Sequence, residues 1–99
     1  MELDQLTSAD FAPYQGQEFH VNYGGQQPLT VRLTKVTALK ASANFKGRSP
    51  FSLLFHGPKE YYLRQGTYRM EHSQMGSTDL FIVPVGPDEN GMGYEVIFS

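Results

Sequence analysis

The sequence predicts an all-β protein, a small antiparallel barrel or sandwich of six to seven short strands with one short N-terminal helix. Apolar and polar residues alternate with a period of two along much of the chain, as they do in strands. Ten glycines and six prolines separate these runs, which is typical of barrels and sandwiches. Seven phenylalanines and six tyrosines favour strands over helices. A chain of 99 residues has the size of one domain, so residues 1–99 are predicted to form a single β domain.

The N-terminal segment predicts only a short helix. Thr7 can cap it, and Asp10 stands three residues on, in the capping-box position. Pro13 disfavours any longer helix because it restricts the preceding residue and lacks an N–H group. We therefore expect one or two turns, with Leu6 and Phe11 forming an apolar plug.

Two alternating runs predict the first two strands, with a turn at Gly24–Gly25 between them. The first run, QEFHVNY, has its apolar residues on one face: Phe19, Val21 and Tyr23. The second run, LTVRLTKVTAL, starts with odd-numbered apolar residues: Leu29, Val31 and Leu33. It then changes phase, because Val36 and Ala38 are even-numbered. A β-bulge near Thr34–Lys35 would absorb that slip. Residues 40–49 are predicted to be a loop or a ragged strand edge.

The second half of the chain predicts further short strands. The run FSLLFH is expected to be a strand covered on both faces, and Gly57–Pro58 ends it. YYL and TYRMEH are predicted as strands separated by residues 64–66. TDLFIVPV is another apolar run, in which Pro84 indicates an edge or a strand end. A turn is predicted at 86–91. The last strand, MGYEVIF, has four apolar residues on one face: Met92, Tyr94, Val96 and Phe98.

The formal net charge of −2 hides an uneven distribution of charge. Residues 19–59 contain no acidic residue and carry six basic ones, whereas the segments on either side are net acidic. This asymmetry indicates either a contact surface or opposite charges that pair between neighbouring strands. If there is a contact surface, we expect these partner-binding residues: Lys35, Lys40, Lys46, Arg48, His56 and Lys59.

No pattern in the sequence indicates a metal site or a bound cofactor. The chain has no cysteine, which excludes disulfides, thiolate zinc ligands and thiol nucleophiles. Its three histidines, His20, His56 and His72, lie on separate predicted strands without the spacing of a metal motif. His20 is expected to face solvent, and His72 to be a half-buried histidine with its hydrogen bonds satisfied. His56 is expected to bond the backbone of the turn that follows it, or to contact a partner.

No pattern indicates a catalytic site either. Ser52 and His56 share a strand face, but four residues along a strand span about 13 Å, too far for a nucleophile and its base. None of the glutamates Glu60, Glu71 and Glu95 forms a recognisable carboxylate pair. We therefore expect a protein that is not an enzyme and has no catalytic residues.

The sequence contains no apolar run near the roughly 20 residues that cross a bilayer. The N-terminus, MELDQLTSAD, lacks the basic and then apolar order of a signal peptide. We expect a cytoplasmic protein with no membrane partner.

Several strings in the chain resemble a family of short bacterial proteins classed as a domain of unknown function. They are PFSLLFHGP (50–58), LRQGTY (63–68), EHSQMG (71–76), FIVPVG (81–86) and GYEVIF (93–98), with a weaker echo in DFAPYQGQEFHV (10–21). The resemblance implies a single small β domain, often encoded near phage-tail-like genes, and no assigned activity. It supplies no set of catalytic residues.

These observations favour a non-catalytic interaction or structural module, and the resemblance implies a component of a larger phage-tail-like assembly. Its partner would be another protein or a second copy, in a contact that weakens with salt. The alternative is a barrel that binds single-stranded nucleic acid, since residues 19–59 are both basic and aromatic. A pI near 5.8 argues against that alternative. A barrel that holds a small apolar ligand is a third possibility, although barrels with few strands are normally filled by side chains.

Overall fold

The computed structural model of the protein describes residues 6–39 and 50–98, which form a closed antiparallel barrel. One helical turn, α1, precedes six strands. The elements are α1 (Ser8–Phe11), a 3₁₀ turn (Ala12–Tyr14), β1 (Glu18–Asn22), β2 (Leu29–Ala38), β3 (Phe51–Gly57), β4 (Gly66–His72), β5 (Gly76–Asp88) and β6 (Gly91–Phe98). The order around the barrel is β1-β2-β3-β6-β5-β4, and β4 pairs back onto β1. The predicted all-β class and the short N-terminal helix are confirmed.

The alternation of apolar residues places one face of every strand inside the barrel. The faces predicted for β1, β2 and β6 are confirmed, since these residues are buried: Phe19, Val21, Leu29, Val31, Leu33, Met92, Tyr94, Val96 and Phe98. Tyr23, just beyond β1, is half-buried. Strand β3 adds Phe51, Leu53 and Phe55 to this core. The prediction that β3 is covered on both faces is wrong. Its outward residue Leu54 is only half-buried, so burial alternates along most of the strand.

Helix α1 closes one end of the barrel, as predicted. Thr7 and Asp10 form the expected capping box, in which the Thr7 backbone N–H donates to the Asp10 carboxylate at 2.8 Å. Leu6 and Phe11 are buried. The Phe11 ring lies 5.9 Å from that of Phe51 and 5.6 Å from that of Phe98, so the helix plugs the barrel where β3 begins and β6 ends.

Residues 58–65 cover the opposite end of the barrel, where the sequence predicted an additional strand. No strand forms at YYL. Leu63 is buried instead, and its N–H donates to the Tyr94 hydroxyl at 3.1 Å. That hydroxyl donates in turn to the Tyr61 carbonyl oxygen at 3.1 Å. A buried tyrosine needs a partner for its hydroxyl, and here it holds this segment over the barrel.

The position of Pro84 differs from the prediction. It lies inside the 13-residue strand β5, opposite Tyr94, and not at an edge or a strand end. The pairing of β5 with β6 shifts between Pro84 and Gly86, and a bulge at this point accommodates a residue that has no N–H group.

The turn predicted at 86–91 is shorter than expected. Strand β5 continues to Asp88 and β6 begins at Gly91, which leaves Glu89 and Asn90 between them. Gly91 has φ +122°, and a Cβ there would collide with the Gly57 carbonyl oxygen. Only glycine fits both constraints. The loop predicted at 40–49 lies outside the described residues.

Candidate interaction surface

A β-bulge in β2 decides which side chains reach the outer surface at that point. The pairing of β2 with β3 shifts between Leu33 and Lys35, as the sequence predicted. Leu33 points inward and is fully buried, while Lys35 is exposed and lies opposite Leu54. Without the bulge, Lys35 would share the inward parity of Leu33. The extra residue therefore turns a lysine outward onto the barrel surface.

Lys35 belongs to a row of residues that crosses four strands on the outside of the barrel. Lys35 pairs with Leu54, Leu54 with Glu95, and Glu95 with Val83. In the next row, Thr37 pairs with Ser52 and Ser52 with Ile97. Strands β5 and β6 are antiparallel, and Val83 pairs with Glu95. Phe81, two residues before Val83, therefore lies beside Ile97, two residues after Glu95.

Large apolar side chains are exposed on this surface. Phe81 is 53% exposed and Ile97 is 60% exposed, while Leu54 and Val83 are half-buried. We call these four residues, Leu54, Phe81, Val83 and Ile97, the outer apolar face. Val85, further along β5, is also 53% exposed. A contiguous apolar surface of this kind usually marks a contact site, whereas single exposed apolar residues need no explanation.

The opposite side of the barrel, on β4, β1 and β2, is polar. Glu18 on β1 lies opposite Arg32 on β2 in the strand register. The Arg69 Nε atom on β4 lies 3.5 Å from Asp79 Oδ1 on β5. The Asn22 side-chain amide on β1 donates to the Glu71 carboxylate. The Glu18–Arg32 register places an acidic and a basic residue from different segments on neighbouring strands, in keeping with one of the two explanations for the uneven charge.

Of the six residues expected at a contact surface, three lie within the described residues. Lys35 is exposed beside the outer apolar face. Lys59 is exposed near Asp88, and its charge contributes to the low pKa of that carboxyl. His56 is buried and offers little surface for a contact. Lys40, Lys46 and Arg48 lie outside the described residues. The sequence analysis did not identify Phe81 and Ile97 as contact residues. Their odd numbers gave a weak signal, because the buried residues beside them, such as Leu80, Ile82 and Val96, are even-numbered.

The buried His56 is bonded by side chains and not by the turn backbone that the sequence predicted. Its Nδ1 lies 2.7 Å from the Thr34 hydroxyl, and its Nε2 lies 2.9 Å from an Asp88 carboxylate oxygen. The pKa of the Asp88 carboxyl is lowered mainly by its hydrogen bond with His56 and to a smaller extent by the hydrogen bond from the Asn90 N–H. The cluster joins β2, β3 and β5.

The order of hydroxyl, imidazole and carboxylate in this cluster resembles that of a hydrolytic triad. The Thr34 hydroxyl, however, also reaches the Leu54 carbonyl oxygen, to which it donates at 3.0 Å. Its two contacts, with the Leu54 carbonyl oxygen and with His56 Nδ1, tie the β2 bulge to β3 and hold the bulge in place.

The buried His72 is bonded on both sides of its ring. Nε2 lies 2.8 Å from the Gln17 amide oxygen, to which it donates, and Nδ1 accepts from the backbone N–H groups of Gln74 and Met75 at 3.1 and 3.2 Å. The rings of Tyr14 and Phe19 lie 4.7 and 4.5 Å from the imidazole. Burial, and to a smaller extent the nearby His20, lowers the pKa of His72. The prediction of a satisfied histidine is confirmed, with deeper burial than expected.

His20 is exposed, as predicted, and lies 3.2 Å from the Thr30 hydroxyl. Two shallow depressions, of about 340 and 570 Å³, flank the Glu18–Arg32 pair on this polar side of the barrel. His56 lines the smaller depression, and His20 and His72 line the larger one. Within residues 6–39 and 50–98, no three histidine or acidic side chains are grouped as metal ligands would be.

The fold and this surface define a small closed β-barrel domain with an exposed apolar face. The chain belongs to the family described as a domain of unknown function (DUF6916), whose sequence model matches residues 6–98. Neither the curated proteins nor the solved structures include a match to the chain. Among the residues that the structure describes, no helix has the length and apolar character needed to span a membrane.

Proposed function

We propose that the domain is a non-catalytic interaction module that contacts a protein partner through the outer apolar face. The observation that best supports this is the exposure of Phe81 and Ile97, 53% and 60%, on adjacent strands. Keeping apolar surface in water costs about 25 cal/mol for each Å². Neither side chain packs in the barrel core, so a partner that covers them gains this free energy without disturbing the fold.

The closed barrel limits how such a partner can bind. Each of the six described strands is paired on both sides, so none of them offers a free edge to which another strand could add. A partner must therefore pack against side chains on a face of the sheet. The outer apolar face, with Lys35 beside it and Glu95 within it, has the mixture of apolar centre and charged surroundings seen at protein interfaces.

The wider context that we propose is a larger assembly of the phage-tail-like kind. Its basis is the resemblance of the strings in residues 50–98 to proteins encoded near such genes. Repeating assemblies use small domains that associate through surface patches.

Binding of single-stranded nucleic acid is the alternative, and one observation favours it. Tyr61 and Tyr62, 38% and 60% exposed, lie between Lys59 and Arg64, where bases could stack beside positive charge. Against it, Phe19, Phe51 and Phe55 lie inside the barrel and are not available for stacking. The same core side chains fill the barrel interior, which argues against a small apolar ligand there.

The test compares what tagged protein retains from its native lysate with what a surface variant retains. The variant is Phe81→Ser with Ile97→Ser, and the matched control is Tyr62→Ser, because Tyr62 is as exposed as Ile97 but lies outside the outer apolar face. We expect a stoichiometric protein partner, identified by mass spectrometry, with the wild type and the control but not with the double variant.

Two outcomes of this experiment would overturn the proposal. Equal retention by the wild type and the Phe81→Ser/Ile97→Ser variant would show that the outer apolar face binds nothing. Retention of nucleic acid that is lost with Tyr62→Ser, and that nuclease removes, would establish the alternative. Circular dichroism at increasing temperature verifies that all variants remain folded.

A further inference from the structure

We infer that the partner on the outer apolar face is a second copy of this chain, bound about a two-fold axis. The inference rests on the function proposed for that face. What carries it is the placement of two opposite charges, Lys35 and Glu95, on either side of Leu54 in one cross-strand row. A face that carries both signs in a symmetric arrangement is complementary to itself.

The spacing of the two charges follows from the pairing of the strands. Lys35 on β2 lies opposite Leu54 on β3, which lies opposite Glu95 on β6. Neighbouring strands are about 4.8 Å apart, so the two charged residues are separated by about 10 Å with Leu54 midway. Within the described ranges, neither charge has an ion-pair partner, whereas the carboxylate of Asp79 lies 3.5 Å from Arg69 Nε.

A two-fold axis that runs along β3, above Leu54, uses both charges at once. Rotation about this axis brings β2 of one copy over β6 of the other. Lys35 of each copy then faces Glu95 of the other, which makes two equivalent ion pairs, and the two Leu54 side chains meet at the axis. Ile97, in the next row, faces Thr37 of the second copy, because Thr37, Ser52 and Ile97 form that row.

The same arrangement discriminates against other partners. A polyanion such as nucleic acid is attracted by Lys35 but repelled by Glu95, so this face gives it no net charge attraction. An uncharged apolar surface would cover Leu54 and Ile97 but would leave two charges desolvated without partners, which is costly. A second copy covers Leu54 and Ile97 and pairs both charges.

The test measures the mass of the untagged full chain in solution by sedimentation equilibrium over a range of concentrations. The variants are Lys35→Glu, Glu95→Lys and the double variant that carries both changes. Each single change places like charges opposite one another in the dimer. We therefore expect the dissociation constant of the dimer to rise by about tenfold or more. The double variant exchanges the two charges and should dimerise as the wild type does.

A mixture of the two single variants provides the sharpest comparison. Lys35→Glu leaves two negative charges on the face, and Glu95→Lys leaves two positive ones. An equimolar mixture should therefore form a heterodimer, although each variant alone dimerises more weakly than the wild type. High salt should weaken the wild-type dimer and the heterodimer alike.

Failure of this inference is distinguishable from failure of the proposed function. A wild-type chain that stays monomeric at its highest soluble concentration, or a double variant no better than the single ones, overturns the second copy as partner. In that case, if the wild type captures a protein that the Phe81→Ser/Ile97→Ser variant does not, the outer apolar face is still a contact surface and its partner is a different chain. If that variant retains everything the wild type retains, the function proposed for the face fails as well.

Discussion

His56 and His72 are equally buried, each 6% exposed, yet they depend on different hydrogen bonds. His72 donates from Nε2 to Gln17 and accepts two backbone N–H groups at Nδ1, a pattern that only the neutral ring can make. His56 faces the Thr34 hydroxyl on one side and the Asp88 carboxylate on the other. Unlike His72, it bonds two side chains and no backbone N–H group of a following turn.

The difference shows that the partners of a buried histidine, and not its burial alone, decide what it does for a fold. His72 fixes the turn between β4 and β5 by serving as an acceptor for that turn's backbone. His56 fixes the bulge in β2 and the end of β5 through hydrogen bonds to two side chains. The His72 arrangement is sensitive to the addition of a proton, because Nδ1 must stay an acceptor for the backbone N–H groups of the turn.

Replacement of His72 by alanine should have the largest effect. It leaves the N–H groups of Gln74 and Met75 without their acceptor and opens a cavity between the rings of Tyr14 and Phe19. We expect the free energy of unfolding to fall by about 3 kcal/mol, measured by urea unfolding followed by circular dichroism. The exposed His20, replaced in the same way, should change it by less than about 0.5 kcal/mol. Similar losses for both would contradict the role assigned to His72.

Replacement of Thr34 by valine tests the His56 cluster with a smaller expected effect. Valine keeps the shape of the side chain but removes the hydroxyl that bonds both the Leu54 carbonyl and His56. We expect a loss of about 1–2 kcal/mol in the free energy of unfolding. Thr37→Val is the control, because the Thr37 hydroxyl bonds no other side chain or backbone group in the described part of the barrel. An equal loss in both variants would mean that the Thr34 hydroxyl does not hold the bulge.

The sequence predicted those features that depend on local patterns. The period of two identified β1, β2 and β6, the apolar run FSLLFH identified β3, and the phase change after Leu33 located the β-bulge. The capping residues Thr7 and Asp10 located the short helix. Each of these follows from residues close together in the chain, where the physical rules of strand parity and helix capping apply directly.

The features that the sequence could not predict depend on closure of the barrel. Pro84 would indicate an edge in an open sheet, but the sheet closes and a bulge accommodates it. The two partners of His56 are Thr34 and Asp88, which lie 22 and 32 residues away in sequence, and no local pattern brings them together. The outer apolar face combines β3, β5 and β6, whose neighbours only the topology defines.

The two histidine clusters should lose stability in different pH ranges. This is the smallest change in the free energy of unfolding that we predict. The pKa of His72 is lowered in the fold from its ordinary value near 6.5, so protonation favours the unfolded chain. The contribution of neutral His72 to the free energy of unfolding is complete above about pH 6.5. It is lost as the pH falls below that value, and the free energy of unfolding then decreases by no more than about 1.4 kcal/mol per pH unit. The Asp88 pKa is lowered from 3.8, so its contribution persists to more acidic pH and is lost only below that value.

Urea unfolding at a series of pH values, repeated with His72→Gln and Asp88→Asn, measures the two windows separately. His72→Gln should remove the decline that begins near pH 6.5 and keep the decline below pH 4, while Asp88→Asn should do the reverse. Because His20, Glu71, Glu18 and Arg32 line the depression beside His72, a His20→Gln variant serves as the reference for their influence. A decline near pH 6.5 that survives in His72→Gln would assign the proton to another histidine, and the contrast between the two clusters would then fail.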